Sequence, residues 1–190
     1  MPMRANWFIA LPVVAGTWFE KLSPPPGVRL FGPGDLHITV AFLGPVAEEA
    51  AQSAFELASA FTLPPLEVQL GQVEGLGAKR SPTAYSALLS VGRQPVENAI
   101  SAAREAMWQR AQARADKRPA LAHMTLARPQ SRSSPEQQNG GLAWARALDL
   151  GHAACQLDRI ALYTWSEDRS RTLFRICRAL PLMAAVSTGH

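Results

Sequence analysis

The chain has 190 residues, 47% of them hydrophobic and 18% charged. That suits one folded domain, or two small lobes sharing a core, and excludes intrinsic disorder, collagen and coiled coil. The formal charge of +4 is uneven: residues 1–100 carry −2 and residues 101–190 carry +6, with arginine supplying 16 of the 19 positive charges. An arginine-rich half favours an anionic partner, nucleic acid among the candidates.

In chain order, residues 6–11 (NWFIAL) predict a first strand. The opening lacks the long apolar core of a signal peptide, so a cytoplasmic setting is expected. Residues 13–22 predict a short helix that cannot pass Pro24-Pro25-Pro26. Residues 36–43 (LHITVAFL) read as a strand closed by Gly44-Pro45, and residues 47–61, rich in Ala and Glu, as a helix. Residues 66–73 and 83–91 alternate apolar and polar side chains, predicting two strands around a Gly-rich turn. Residues 96–115 are the longest helix candidate, with Ile100, Ala103, Met107 and Ala111 on one face. The cations Arg104, Arg110, Arg114, Lys117 and Arg118 suit a solvated helix face as well as an anion site. Residues 122–126 predict a strand, residues 130–141 an exposed polar loop, and residues 157–165 and 173–180 the last two strands. Several connections are too short for parallel crossovers, so the expected class is α+β, with antiparallel sheets packed on helices. No apolar run reaches the ~18 residues of a membrane span, so no membrane partner is expected. Cys155 and Cys177 lie in apolar runs without CxxC or CxxH spacing and are expected to be buried free thiols.

The four histidines carry the functional signal. His37-Ile38-Thr39-Val40 and His123-Met124-Thr125-Leu126 repeat one pattern, His-apolar-Thr-apolar, 86 positions apart, one copy in each half. Residues i and i+2 of a strand share a face, so each copy sets an imidazole beside a hydroxyl while the apolar pair enters the core. One such copy would mean little, because Thr is a β-former; two copies that use half of all the histidines point to a site. Phosphodiester cleavage needs one group to take a proton from the attacking water and another to give one to the leaving oxygen, and imidazole does both near neutral pH. The hydroxyls can donate to the non-bridging oxygens, where charge builds. Two histidines could also hold zinc, but no HxH, HxxxH or carboxylate cluster supplies a third ligand. No metal and no cofactor is expected.

The runs LHITVAFLG and HMTLAR resemble the two signature motifs of the 2H phosphoesterase superfamily. Within it the chain is most similar to the bacterial RNA 2′,3′-cyclic phosphodiesterases, long called 2′-5′ RNA ligases. The opening NWFIALP and the closing pair around LYTWSEDRSRTLF extend the resemblance over nearly the whole chain. It implies a single domain over residues 1–190 made of two intertwined lobes, related by a pseudo-twofold, with the active cleft between their sheets. It also implies metal-independent opening of a cyclic phosphate at an RNA 3′ end to leave a 2′-phosphate. His37 matches the family's general acid (proton donor) and His123 its general base (proton acceptor), an order the sequence itself leaves open. Thr39 and Thr125 match phosphate-binding hydroxyls, and Arg128 an arginine that binds phosphate oxygens. Strict alternation would turn Arg128 away from His123, so the strand must end or bulge there, and Pro129 would suit an ending.

Two positions depart from the family pattern. Leu121-Ala122 replaces a Phe-x-Pro run before the second histidine, and Phe174 stands where a tyrosine near the cleft is usual. A phenyl ring keeps base stacking and loses any hydroxyl contact. His152 and His190 match nothing and are expected in solvent. The expected partner is RNA with a 2′,3′-cyclic phosphate end, acted on by a monomer. The alternatives are a small cyclic nucleotide or metabolite cyclic phosphate as substrate, and an RNA-end binding module without turnover.

Overall fold

The computed structural model describes residues 5–78, 81–170 and 172–183. Nine strands form one curled antiparallel sheet: β1 (Trp7–Pro12), β2 (Val28–Leu30), β3 (His37–Gly44), β4 (Leu66–Ala78), β5 (Ser81–Val91), β6 (His123–Pro129), β7 (Ala154–Leu157), β8 (Arg159–Trp165) and β9 (Phe174–Pro181). Their order is β7-β4-β5-β6-β3-β1-β8-β9, with β2 added on β6. Four strands lie on each side of the junction between β6 and β3. β3 is flanked by β1, β8 and β9, and β6 by β5, β4 and β7, which is the expected pair of pseudo-twofold-related lobes. The two sheets join edge to edge through a single bridging pair, Ile38 and Met124. Beyond that bridge β6 pairs instead with β2, through Arg29 opposite Arg128, and the sheet opens into a cleft.

The helices are α1 (Thr17–Glu20), α2 (Glu48–Glu56), α3 (Arg93–Arg110) and α4 (Pro135–Ala147). The lobes match again here: α2 packs on β1 and β8, and α4 on β4 and β5. Ile38, Val40, Met124 and Leu126, the apolar members of the two motifs, are buried in the main core with Phe55, Ile100 and Met107. Truncating Ile38 or Met124 to Ala would cost about 2–5 kcal/mol.

Several sequence expectations are corrected. The helix expected over 13–22 is one turn, because the Val13 backbone N–H still donates to the Leu36 carbonyl at 3.0 Å and keeps the chain extended beyond β1. The Gly-rich turn expected after residue 73 lies inside β4, whose strand runs on to Ala78 and lengthens the hairpin with β5. The loop expected over 130–141 is largely helix α4. Ser134 caps it, accepting from the Gln137 N–H while the Gln137 side chain accepts from the Ser134 N–H at 2.9 Å, with Pro135 in the first turn. Gly141, a poor helix former, is required there: a Cβ would collide with the Tyr85 ring and Val28. The three-residue β2 and four-residue β7 fall below what the sequence pattern resolves. Cys155 is buried and Cys177 only partly so; both are free thiols. His152 is exposed, and His190 lies outside the described residues. Among the described residues no helix is long and apolar enough to cross a membrane.

Candidate active site

His37 and His123 open β3 and β6 on either side of the Ile38–Met124 bridge. By the antiparallel register of that bridge, His37 lies across from Thr125 and Thr39 across from His123. All four line one cleft of about 900 Å³.

Both strands then do something the alternation rule does not foresee. Along β3, Ala41 pairs with Ile9 and Thr39 with Ala10, leaving Val40 as an extra residue. Along β6, Ala127 pairs with Tyr85 and Thr125 with Ser86, leaving Leu126 extra. Each is a β-bulge three residues after the histidine. Both Val40-Ala41 and Leu126-Ala127 are therefore buried side by side, and the parity of everything after them is reversed. The residue five after each histidine is thereby returned to the cleft face: Phe42 in one strand, Arg128 in the other. The bulge expected before Arg128 exists. The strand does not end there, since β6 continues through Pro129 against β2.

The imidazoles are held alike. His37 Nδ1 lies 2.6 Å from the Asp35 carbonyl oxygen and His123 Nδ1 2.7 Å from the Leu121 carbonyl oxygen. A carbonyl only accepts, so each Nδ1 carries the proton and each Nε2 is left as the reactive nitrogen. The surroundings differ. His37 stands against the rings of Phe8 (4.8 Å between centroids), Tyr163 (5.4 Å) and Phe174 (5.5 Å, edge-on). Burial in that wall lowers its pKa to about 4, against an opposing contribution from its bond to the Asp35 carbonyl and from the Asp35 charge. His123 is also lowered, by burial first and by Arg118 in addition, with its bond to Leu121 opposing. Both shifts favour the neutral imidazole at pH 7.

Thr125 shares a 3.0 Å hydrogen bond with the buried hydroxyl of Ser86 on β5. Arg128 lies over the Phe31 ring at 5.3 Å. Phe174 lines the cleft beside His37. All six sequence-predicted site residues are thus brought together.

The sequence reading missed Asp35. Its carboxylate is 1% exposed. One oxygen accepts from Thr172 Oγ1 (2.7 Å) and from the backbone N–H of Leu173 (2.9 Å) and Phe174 (3.1 Å), the other from the Gly32 N–H (3.2 Å). It therefore ties the start of β9, and with it Phe174, to the turn that precedes His37. Also missed were Trp165 and Arg169. Of the five cations around the end of α3, Arg104 and Arg118 line the cleft while Arg110, Arg114 and Lys117 are exposed. Among the described residues no three His, Cys, Asp or Glu side chains cluster as metal ligands would.

Comparison with known proteins agrees with this geometry. Residues 14–169 match the model of the 2′-5′ RNA ligase superfamily. No curated protein matches the chain in sequence. Among solved structures, Escherichia coli LigT complexed with 3′-AMP has a TM-score of 0.67 at 19% identity, covering 93% of this chain and 97% of that one. TT0787 of Thermus thermophilus gives 0.69 at 16%, over 94% and 98%. Kluyveromyces marxianus Usb1 gives 0.56 at 9%, over 95% and 98%. At these identities the likeness is one of fold.

Proposed function

This chain belongs to the 2′-5′ RNA ligase superfamily, and on that premise we propose that it hydrolyses 2′,3′-cyclic phosphate ends of RNA to 2′-phosphates with two histidines and no metal. The observation that carries the reading is the duplicated imidazole: each Nδ1 is satisfied by the carbonyl two residues back, leaving two Nε2 atoms for one cleft. In this reading the whole chain is one domain of two intertwined lobes, each giving one histidine. The neutral imidazole of His123 takes a proton from water, whose oxygen attacks phosphorus in line with the ribose 3′-oxygen. The P–O3′ bond breaks and protonated His37 supplies the proton that completes the 3′-hydroxyl, leaving the phosphate on O2′. His37 has the donor role by its match to the family motif; the charge of Asp35 favours its protonated form against burial and the charge of Arg128, while His123 meets the cation Arg118 and no carboxylate. The incoming phosphate supplies the remaining counter-charge. Thr39, Thr125 and Arg128 hold the non-bridging oxygens, and Phe174 offers a ring to the nucleoside. The E. coli relative has been crystallised with 3′-AMP, NADP+, ATP and phosphate, ligands of the same chemistry. Two free thiols suit a reducing, cytoplasmic setting.

The test is a short RNA with a 2′,3′-cyclic phosphate end, incubated in excess EDTA. The expected product is the 2′-phosphate, with kcat lowered ~10²–10⁴-fold in His37→Ala and in His123→Ala. A 3′-phosphate product, or activity abolished by EDTA, would overturn the reading. Tight binding without turnover would make the cleft an RNA-end binding site.

A further inference from the structure

The cleft has arginines at both ends, and the two ends are not alike. At the α3 end the charges are already engaged: Arg93 pairs with Glu97 at 2.7 Å, Arg118 with Asp116 at 2.6 Å, and Arg104 lies over the Trp108 ring and donates to the Arg118 carbonyl. At the β2 end, among the described residues, Arg29, Arg128 and Arg169 have no carboxylate within ion-pair distance. Arg29 and Arg128 stand opposite each other across β2 and β6, an arrangement of like charges that is unfavourable on its own. Arg29 Nη2 donates to the Arg169 carbonyl at 3.2 Å, which brings the third arginine to the other two. The Arg169 guanidinium lies 4.5 Å above the Trp165 ring. The neighbouring Asp168 carboxylate is occupied by the N–H and hydroxyl of Ser170. Burial, and then the charge of Arg169, works against the charge on Arg128. Three arginines gathered at one end of the sheet, with Arg128 and Arg169 in the cleft wall and no carboxylate paired to any of them among the described residues, are what an anionic ligand would stabilise.

We propose that Arg29 and Arg169, with Arg128 between them and the reacting centre, form a second phosphate subsite that takes the phosphate on the 5′ side of the nucleoside bearing the cyclic phosphate. The inference rests on the function proposed above. Its direction follows from chemistry: the cyclic phosphate occupies both O2′ and O3′ of the terminal ribose, so any further phosphate lies on its 5′ side. Arg128 shares the cleft face with His123 and Thr125 and leads outward from them along β6, so the next anion binds beyond it. Trp165, partly buried in the cleft wall beneath the Arg169 guanidinium, extends the stacked platform beside which the intervening nucleoside would lie. The subsite selects an oligonucleotide or a 5′-phosphorylated nucleotide over a nucleoside 2′,3′-cyclic phosphate that lacks a second phosphate.

Three substrates test this: adenosine 2′,3′-cyclic phosphate, the same compound carrying a 5′-phosphate, and a dinucleotide ending in the cyclic phosphate. Wild type is expected to favour the two-phosphate substrates by about tenfold or more in kcat/KM, with a steeper decline in salt. A preference for the dinucleotide assigns the subsite to a phosphodiester, and a preference for the 5′-phosphate to a monoester. Arg29→Gln and Arg169→Gln are expected to bring the ratio between substrates toward one, and Arg169→Lys to retain part of it. A wild-type ratio of one, or variants that slow all three substrates in equal proportion, would overturn the subsite alone. No turnover of any of the three would overturn the reading of the histidine pair, and the subsite with it.

Discussion

The lobe that carries His37 and the lobe that carries His123 share a backbone device and differ in what surrounds it. In both, a strand opens with His-x-Thr-x, the imidazole Nδ1 donates two residues back to a carbonyl, and a bulge at the fourth position returns the sixth to the cleft. In the first lobe the cleft face is aromatic: Phe8, Tyr163 and Phe174 close on His37, the returned residue is Phe42, and the nearest anion is the buried Asp35. In the second the face is polar: Thr125 bonds Ser86, the returned residue is Arg128, and the charges nearby are positive. Backbone geometry thus fixes where the two imidazoles stand, while side chains set what surrounds each of them. In the proposed reaction one lobe sets a histidine in a dry wall, and the other gathers the phosphate's negative charge.

The largest effect expected from that division is at the returned positions. Arg128→Ala should lower kcat/KM by about 100-fold, because a charge-assisted contact to a phosphate oxygen strengthens as charge builds. Phe42→Ala should change it by less than about threefold. Equal losses would mean that the phosphate sits symmetrically between the lobes. A smaller effect is expected at Ser86, which is fully buried and fixes the direction of the Thr125 hydroxyl at 3.0 Å. Ser86→Ala should reduce kcat about fivefold and cost roughly 1 kcal/mol of stability, read by urea unfolding. Unchanged kcat with lowered stability would leave Ser86 a packing residue.

What the sequence makes legible is local and periodic. The spacing of His37 to Thr39 and of His123 to Thr125 is enough to place both pairs on strand faces, and the paradox of Arg128 is enough to require an irregularity. The matching bulge at Val40 is not legible, because Phe42 carries no charge to draw attention to its direction. Helix α4 is signalled by Ser134-Pro135-Glu136-Gln137, a capping pattern outweighed in a composition reading by Gly140 and Gly141. Gly141 is explained only by Tyr85 on β5 and Val28 on β2, side chains far from it in the sequence. Asp35 shows the same limit more sharply. In the sequence it is one polar residue in a Gly-Pro-Gly-Asp turn, and its meaning comes from Thr172, Leu173 and Phe174, at least 137 positions away. Side chains that act through distant backbone amides leave no periodic trace.

Asp35 also offers the finest test of the comparison, one read from the limbs and the plateau of the pH profile together. Asn at this position can keep the three bonds at one oxygen, to Thr172, Leu173 and Phe174, and loses the charge together with the bond from the Gly32 N–H. In wild type both histidines titrate below the usual 6.5 in the free enzyme, so the kcat/KM optimum should fall on the acid side of that value. The negative charge of Asp35 favours protonated His37, so Asp35→Asn lowers the affinity of His37 for its proton. The lower of the two pKa values sets the acid limb whichever histidine is the donor, so that limb, set by His37, moves further to acid while the alkaline limb, set by His123, stays in place. If His37 is the donor, the plateau of kcat/KM falls as well, because less of the enzyme holds protonated His37 beside neutral His123. If His37 is the base, the plateau is kept and the order of the two histidines is reversed. Uniform scaling of the whole profile, with neither limb displaced, would reduce Asp35 to a tether for Phe174 and remove the electrostatic distinction between the lobes.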